Sequence, residues 1–91
     1  MAAAILEIIE KVKPDAQLYK EFGQVLLANG QPGEAENRFR YSMQMENNDP
    51  ETHDGLSHCL RALGKSKAAA EELQIAEQLR SSATSKGQVK P

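Results

Sequence analysis

Shifted by 34 residues, the chain falls on itself. Asp15 meets Asp49, Phe22 meets Leu56, Leu26 meets Leu60 and Gly30 meets Gly64. Further on, Ala35 meets Ala69, Phe39 meets Leu73, Tyr41 meets Ile75 and Met45 meets Leu79. Small residues fall on small ones, apolar on apolar, and both glycines keep one phase. A period of this length marks an array in which each unit is one supersecondary element. Such a unit cannot bury its apolar stripe alone, so it must stack on a neighbour.

Each unit reads as two helices. In the first, Leu18, Tyr19, Phe22, Val25 and Leu26 recur at spacings of three and four, one apolar helical face. Asp15 is placed as its N-cap, and Gly30 suits a left-handed C-cap just past the last apolar residue. A second helix opens near Pro32, carries Ala35, Phe39, Ser42 and Met43, and is expected to end around Asn47-Asn48. The second unit repeats this with Asp49 as cap, Pro50 as opener and Leu56, Cys59, Leu60 and Leu63 as the apolar face. Gly64 stops that helix. Ser66 is then expected to cap a last one, carrying Ala69, Leu73, Ala76 and Leu79 to about Arg80. No strand pattern appears, so the predicted fold is all-α.

These residues resemble a known family. Tyr19-x2-Phe22-Gly23-x2-Leu26 followed by Ala35-x3-Phe39 is similar to the tetratricopeptide repeat pattern W-x2-L-G-x2-Y…A-x3-F…P, with the same period. The second unit places His53, Leu56, Ser57, Leu60, Ala69 and Leu73 in the matching positions. The family's closing proline is missing from both units, and Pro50 falls three residues late. The resemblance covers residues 15 to about 81. It implies a right-handed superhelical stack of antiparallel helix hairpins, about five helices, with the first helix of each repeat lining a concave side. Small residues at Gly23, Ala35, Ser57 and Ala69 fit the close approach of paired helices.

The flanks set the remaining boundaries. Residues 1–14 form a flanking segment, 15–48 the first repeat, 49–81 the second, and 82–91 a polar, aperiodic stretch that reads as a disordered tail or linker. Counting back by one period places Ile5 under Phe39, Ile8 under Ser42 and Ile9 under Met43. Residues 2–12 therefore read as the second helix of a preceding half-repeat, either in a piece of a longer array or as an N-terminal cap. Ile5, Ile8, Ile9 and Val12 would then form a face suited to self-association.

On a helical wheel, Gln17, Lys20, Glu21, Gln24 and Leu27 lie opposite the core face of the first helix. Glu51, Asp54, Gly55, His58 and Arg61 do so one repeat later. These are the candidate concave-face residues, of mixed charge, suited to an extended peptide or short helix of a partner protein. Substituting Lys20 and His58 together is expected to weaken capture without lowering the melting temperature. Some members of the resembled family grip the C-terminal carboxylate of heat-shock chaperones with lysine and asparagine. Here Lys20 matches the first lysine, but Gln24 and Gly55 stand at the asparagine positions and no third repeat supplies the final pair.

Other functions find little support. Eleven Lys+Arg against thirteen Asp+Glu give a net charge of −2 and, with 4% aromatics, leave neither a basic face nor a stacking platform for nucleic acid. The apolar run Ala2 to Ile9 is broken by Glu7, too short for membrane insertion. Cys59 is the only cysteine, which excludes an internal disulfide and fits a cytoplasmic protein. It lies on the apolar face and reads as a small core residue, and His53, in the place of Tyr19, reads as a packing residue. His53 and His58 are five apart, about 140° around a helix, so they do not converge on one metal. Neither a catalytic constellation nor a cofactor or metal site emerges. The sequence reads as a binding scaffold. The alternatives are a substrate-recruiting domain of a larger multidomain enzyme and a homo-oligomerisation module.

Overall fold

Each helix begins where the sequence supplies a stop to extended chain and ends where it supplies a glycine or an exposed polar turn. The computed structural model describes residues 15–87, with side chains over 15–82. Four helices result: α1, Ala16–Ala28; α2, Pro32–Met45; α3, Pro50–Ala62; and α4, Ser66–Gly87. No strand occurs among the described residues. The helix expected within residues 2–12, and the self-association face of Ile5, Ile8, Ile9 and Val12, lie outside the described residues.

Both repeats open on an aspartate cap and close their first helix on the same glycine turn. Asp15 Oδ1 accepts from the Leu18 N–H at 2.9 Å, and Asp49 Oδ1 from the Glu51 N–H at 3.0 Å. Gly30 (φ 76°) and Gly64 (φ 82°) both take the left-handed conformation. After each, the chain closes the same motif. Gln31 N–H donates to Leu26 O and Lys65 N–H to Leu60 O, while Gly30 and Gly64 donate to Leu27 O and Arg61 O. This paired closure satisfies the carbonyls a helix end would otherwise leave open.

Two boundaries differ from expectation. Ser66 is not a cap but the first residue of α4, one period after Pro32, because the glycine turn leaves only one residue before the next helix. The stretch expected to be a disordered tail begins as helix, and α4 runs on to Gly87. Between Ser81 and Lys86 no proline or glycine interrupts, and adding a residue to a formed helix costs far less than starting one. Helix α2 stops at Met45, slightly short of Asn47.

The helices pair as two antiparallel hairpins, α1 with α2 and α3 with α4, stacked through α2 and α3. Phe22, Leu26, Ala35, Phe39, Leu56, Cys59, Leu60 and Ala69 form the core. Phe39 is fully buried, and its ring lies against the two glycines of the neighbouring helices. A β-carbon on Gly23 would sit 3.0 Å from ring atoms Cε1 and Cζ, and one on Gly55 would be 2.6 Å from Cε1 and closer to Cζ. The second hairpin has Ser57 where the first has Gly23, and its hydroxyl donates to Ala69 O at 2.8 Å, so close approach there also satisfies a carbonyl. Ser42, buried between hairpins, donates to Ala16 O at 2.8 Å.

Position-equivalent pairs solve one problem differently in the two hairpins. In the first, Arg38 stacks over Phe22 and Tyr41, 5.3 and 5.7 Å from the ring centroids, and Tyr41 packs against Tyr19. In the second, His53 and Glu72 occupy the places of Tyr19 and Arg38. His53 Nδ1 lies 2.7 Å from Glu72 Oε1, and Nε2 is 2.7 Å from Asn47 O in the turn between hairpins. Its packing role is as expected.

Filling the slot beneath Phe39 tests this packing. Gly55→Ala gains about 0.5–1 kcal/mol of helix propensity but overpacks the ring by about 1–3 kcal/mol, so a net loss is expected. Gly33→Ala, where a β-carbon meets nothing within 4 Å, is expected to raise stability by about 0.5 kcal/mol. Thermal melts of the two variants should move in opposite directions.

Candidate partner-binding cleft

Because α1 and α3 lie side by side on one edge of the stack, their outward faces enclose a depression. It measures about 430 Å³ and is lined by Gln24, Leu27 and Ala28 of α1 and by Glu51, Asp54, Gly55 and His58 of α3. Phe39 lies under Gly55, and Arg80 of α4 closes the far side. The floor is thus apolar and the rim polar, as in most ligand-binding clefts.

Six of the expected concave-face residues line it: Gln24, Leu27, Glu51, Asp54, Gly55 and His58. Gln17, Glu21 and Arg61 are exposed but outside the lining, and the Gln17 amide donates to Glu21 Oε2 at 2.7 Å. Gly55 lines the cleft while buried, with Phe39 seated against it. One expectation is corrected. Lys20 is only 6% exposed, not opposite the core, because α1 packs on two neighbours and the second, α3, covers the side the wheel left open.

Lys20 is instead an internal strut. Its Nζ lies 2.8 Å from both Asp49 Oδ2 and Glu51 Oε1, joining α1 to the cap and first turn of α3. Burial alone would lower the lysine's pKa, but hydrogen bonds to both carboxylates outweigh it and hold the ammonium above its ordinary 10.5. Burial likewise opposes the Asp49 charge, yet the hydrogen bond from Lys20 and the Glu51 N–H hold its carboxyl below its ordinary 3.8.

Arg80 was not foreseen. It donates to Asp54 Oδ2 at 3.0 Å, tying α4 to the cleft wall. A signal existed. Asp54 and Arg80 are the period mates of Lys20 and Glu46, so both signs are exchanged between repeats. A second, smaller hollow of about 250 Å³ lies along α2, lined by Arg40, Met43, Gln44 and Asn47.

Chemistry elsewhere is quiet. Cys59 is fully buried, and its thiol is pushed up to about 11, first by burial and then by the nearby Glu36 charge. It should resist iodoacetamide at pH 8 in the native protein and react once urea unfolds it. Among the described residues, no group of three or more His, Cys, Asp or Glu could hold a metal, and no helix is long and apolar enough to cross a membrane.

Helix pairs of this spacing, glycine closure and slot packing coincide with a family model, tetratricopeptide repeat, that matches residues 26–83. The chain belongs to the tetratricopeptide repeat family. No curated protein matches it significantly. Tetratricopeptide repeats generally mediate contacts between proteins and are generally without catalytic activity. In this tetratricopeptide repeat chain, the concave-side position that Lys20 occupies in sequence is turned inward.

The strut gives a test with a definite sign. Lys20→Met is expected to cost about 1–2 kcal/mol, less than the 3–5 of a fully buried pair, because Asp49 and Glu51 keep contact with water. The raised lysine pKa contributes stability that is complete below pH 10.5 and lost as pH rises through the folded value. The depressed Asp49 pKa contributes stability that is complete above pH 3.8 and lost as pH falls through the folded value. Thermal midpoints of the native chain should therefore fall at both extremes, and Lys20→Met should flatten both limbs.

Proposed function

We propose that this chain is a protein–protein interaction scaffold that takes an extended peptide or short helix of a partner into the cleft between α1 and α3, in the cytoplasm. The observation that carries the reading is the cleft itself, with Leu27, Ala28 and Gly55 at its floor and Gln24, Glu51, Asp54, His58 and Arg80 around it. A peptide backbone needs donors and acceptors at intervals, and the rim supplies both. An inserted apolar side chain meets Leu27, Ala28 and Gly55 on helices already held in place, so little ordering free energy is lost on binding.

Affinity rests on the floor more than on the rim. Exposed ion pairs contribute about 0–1 kcal/mol each. Burying apolar surface gives roughly 25 cal/mol per Å² and favours one or two anchoring side chains over many weak contacts.

Gln24 and His58 are exposed and bear on no core contact, so they test the cleft without testing the fold. A peptide selected on the native chain from a random library should bind the Gln24→Ala/His58→Ala variant at least about tenfold more weakly, a loss of 1.4 kcal/mol. The thermal midpoint should stay within about 2 °C. Gln44→Ala, on the α2 hollow, should leave binding unchanged. Equal binding by the double variant would refute the cleft as the working surface.

A further inference from the structure

We infer that the occupant of the cleft is a peptide carrying an arginine or lysine beside an apolar residue, and not one presenting a free carboxylate. The inference rests on the reading of the cleft as a peptide site and adds its charge preference. Lys20 is the only cation on α1, and it is withdrawn from the surface. Two carboxylates already hold its ammonium at 2.8 Å, and its side chain is 8% exposed. An incoming carboxylate would meet Glu51 before it met Lys20, since the Glu51 side chain is 62% exposed.

The charges around the cleft are unequal. Among the described residues that line it, Glu51 and Asp54 stand against Arg80, one negative charge in excess. That excess sits at Glu51. Lys20 engages its Oε1, while Oε2 takes part in no hydrogen bond to the ammonium. Arg80 is engaged by Asp54 at 3.0 Å, so an anion would also have to compete with a carboxylate already in place. A cation reaching Glu51 shares the carboxylate with Lys20, whose ammonium holds Oε1, and can approach through Oε2 on the exposed side of the side chain.

The shape agrees with the charge. Leu27, Ala28 and Gly55 line the same cleft as Glu51, so an apolar side chain can enter while a neighbouring basic one reaches the carboxylate. The methylene stem of arginine or lysine covers apolar surface and leaves its charged head at the wet edge. Guanidinium matches a carboxylate's geometry better than ammonium does, which makes arginine the stronger choice.

Three fluorescein-labelled peptides of equal length decide it by anisotropy against the full chain. The first has a Leu-Arg pair and an amidated end, the second replaces Arg by Gln, and the third replaces Arg by Glu and ends in a free carboxylate. The arginine peptide should bind at least about tenfold more tightly than the acidic one. Its affinity should fall about three- to tenfold with Glu51→Gln and fall again when salt is raised from low to high. Asp54→Asn gives a second reading if Glu51→Gln lowers the melting temperature. Equal binding of the arginine and glutamine peptides, or preference for the acidic one, would overturn the inference and leave the cleft as a peptide site. Binding by none of the three would overturn both.

Discussion

The stack depends on one aromatic ring held between two glycines. Phe39 projects from α2 toward Gly23 in its own hairpin and Gly55 in the next, so a single side chain sets the spacing within one hairpin and between two. A residue with a β-carbon at either place would push a helix outward, and interiors packed to crystal-like density transmit such a shift. The cleft inherits its floor from this arrangement, because Gly55 is low enough to leave room above it. The groove and the core are two sides of the same contact.

Electrostatics then fixes what packing leaves adjustable. An aromatic ring between glycines sets distance, but it resists sliding along the helix axis only weakly. Lys20 spans from α1 to both Asp49 and Glu51, so it pins the start of α3 against the middle of α1. Asp49 serves twice, capping α3 through one oxygen and binding Lys20 through the other. Arg80 performs the corresponding task between α4 and α3 with the signs exchanged. Each bridge is partly open to water and contributes modestly by itself, yet together they define register.

Much of this was legible in the sequence because the repeat speaks twice. Asp15 and Asp49 as caps, and Gly30 and Gly64 as turns, occupy one phase each, Pro32 and Pro50 open one helix in each repeat, and local chemistry dictates their conformations. The burial of Cys59 and His53 followed from the apolar face. The concave face was legible only in part. A helical wheel knows one packing partner, whereas α1 packs against α2 and α3, so Lys20 was read as exposed. Arg80 was missed because its partner is distant in sequence and belongs to a helix expected to end there. The composition of residues 81–86 reads as linker, but composition does not register that a helix already formed can simply continue.

Among the described residues, α1, α2 and α3 pack against one another, whereas α4 packs on α3 alone. Helix α3 touches α1, α2 and α4, while α1 and α4 have no packed interface with each other. Yet Gln24 and Leu27 of α1 and Arg80 of α4 border the same cleft. Anything seated there touches two elements that in the free protein communicate only through α3. Occupancy would tie α4 directly to α1, giving the one helix with a single packing partner a second hold against fraying. The partner would then act on the stack as a keystone does on an arch.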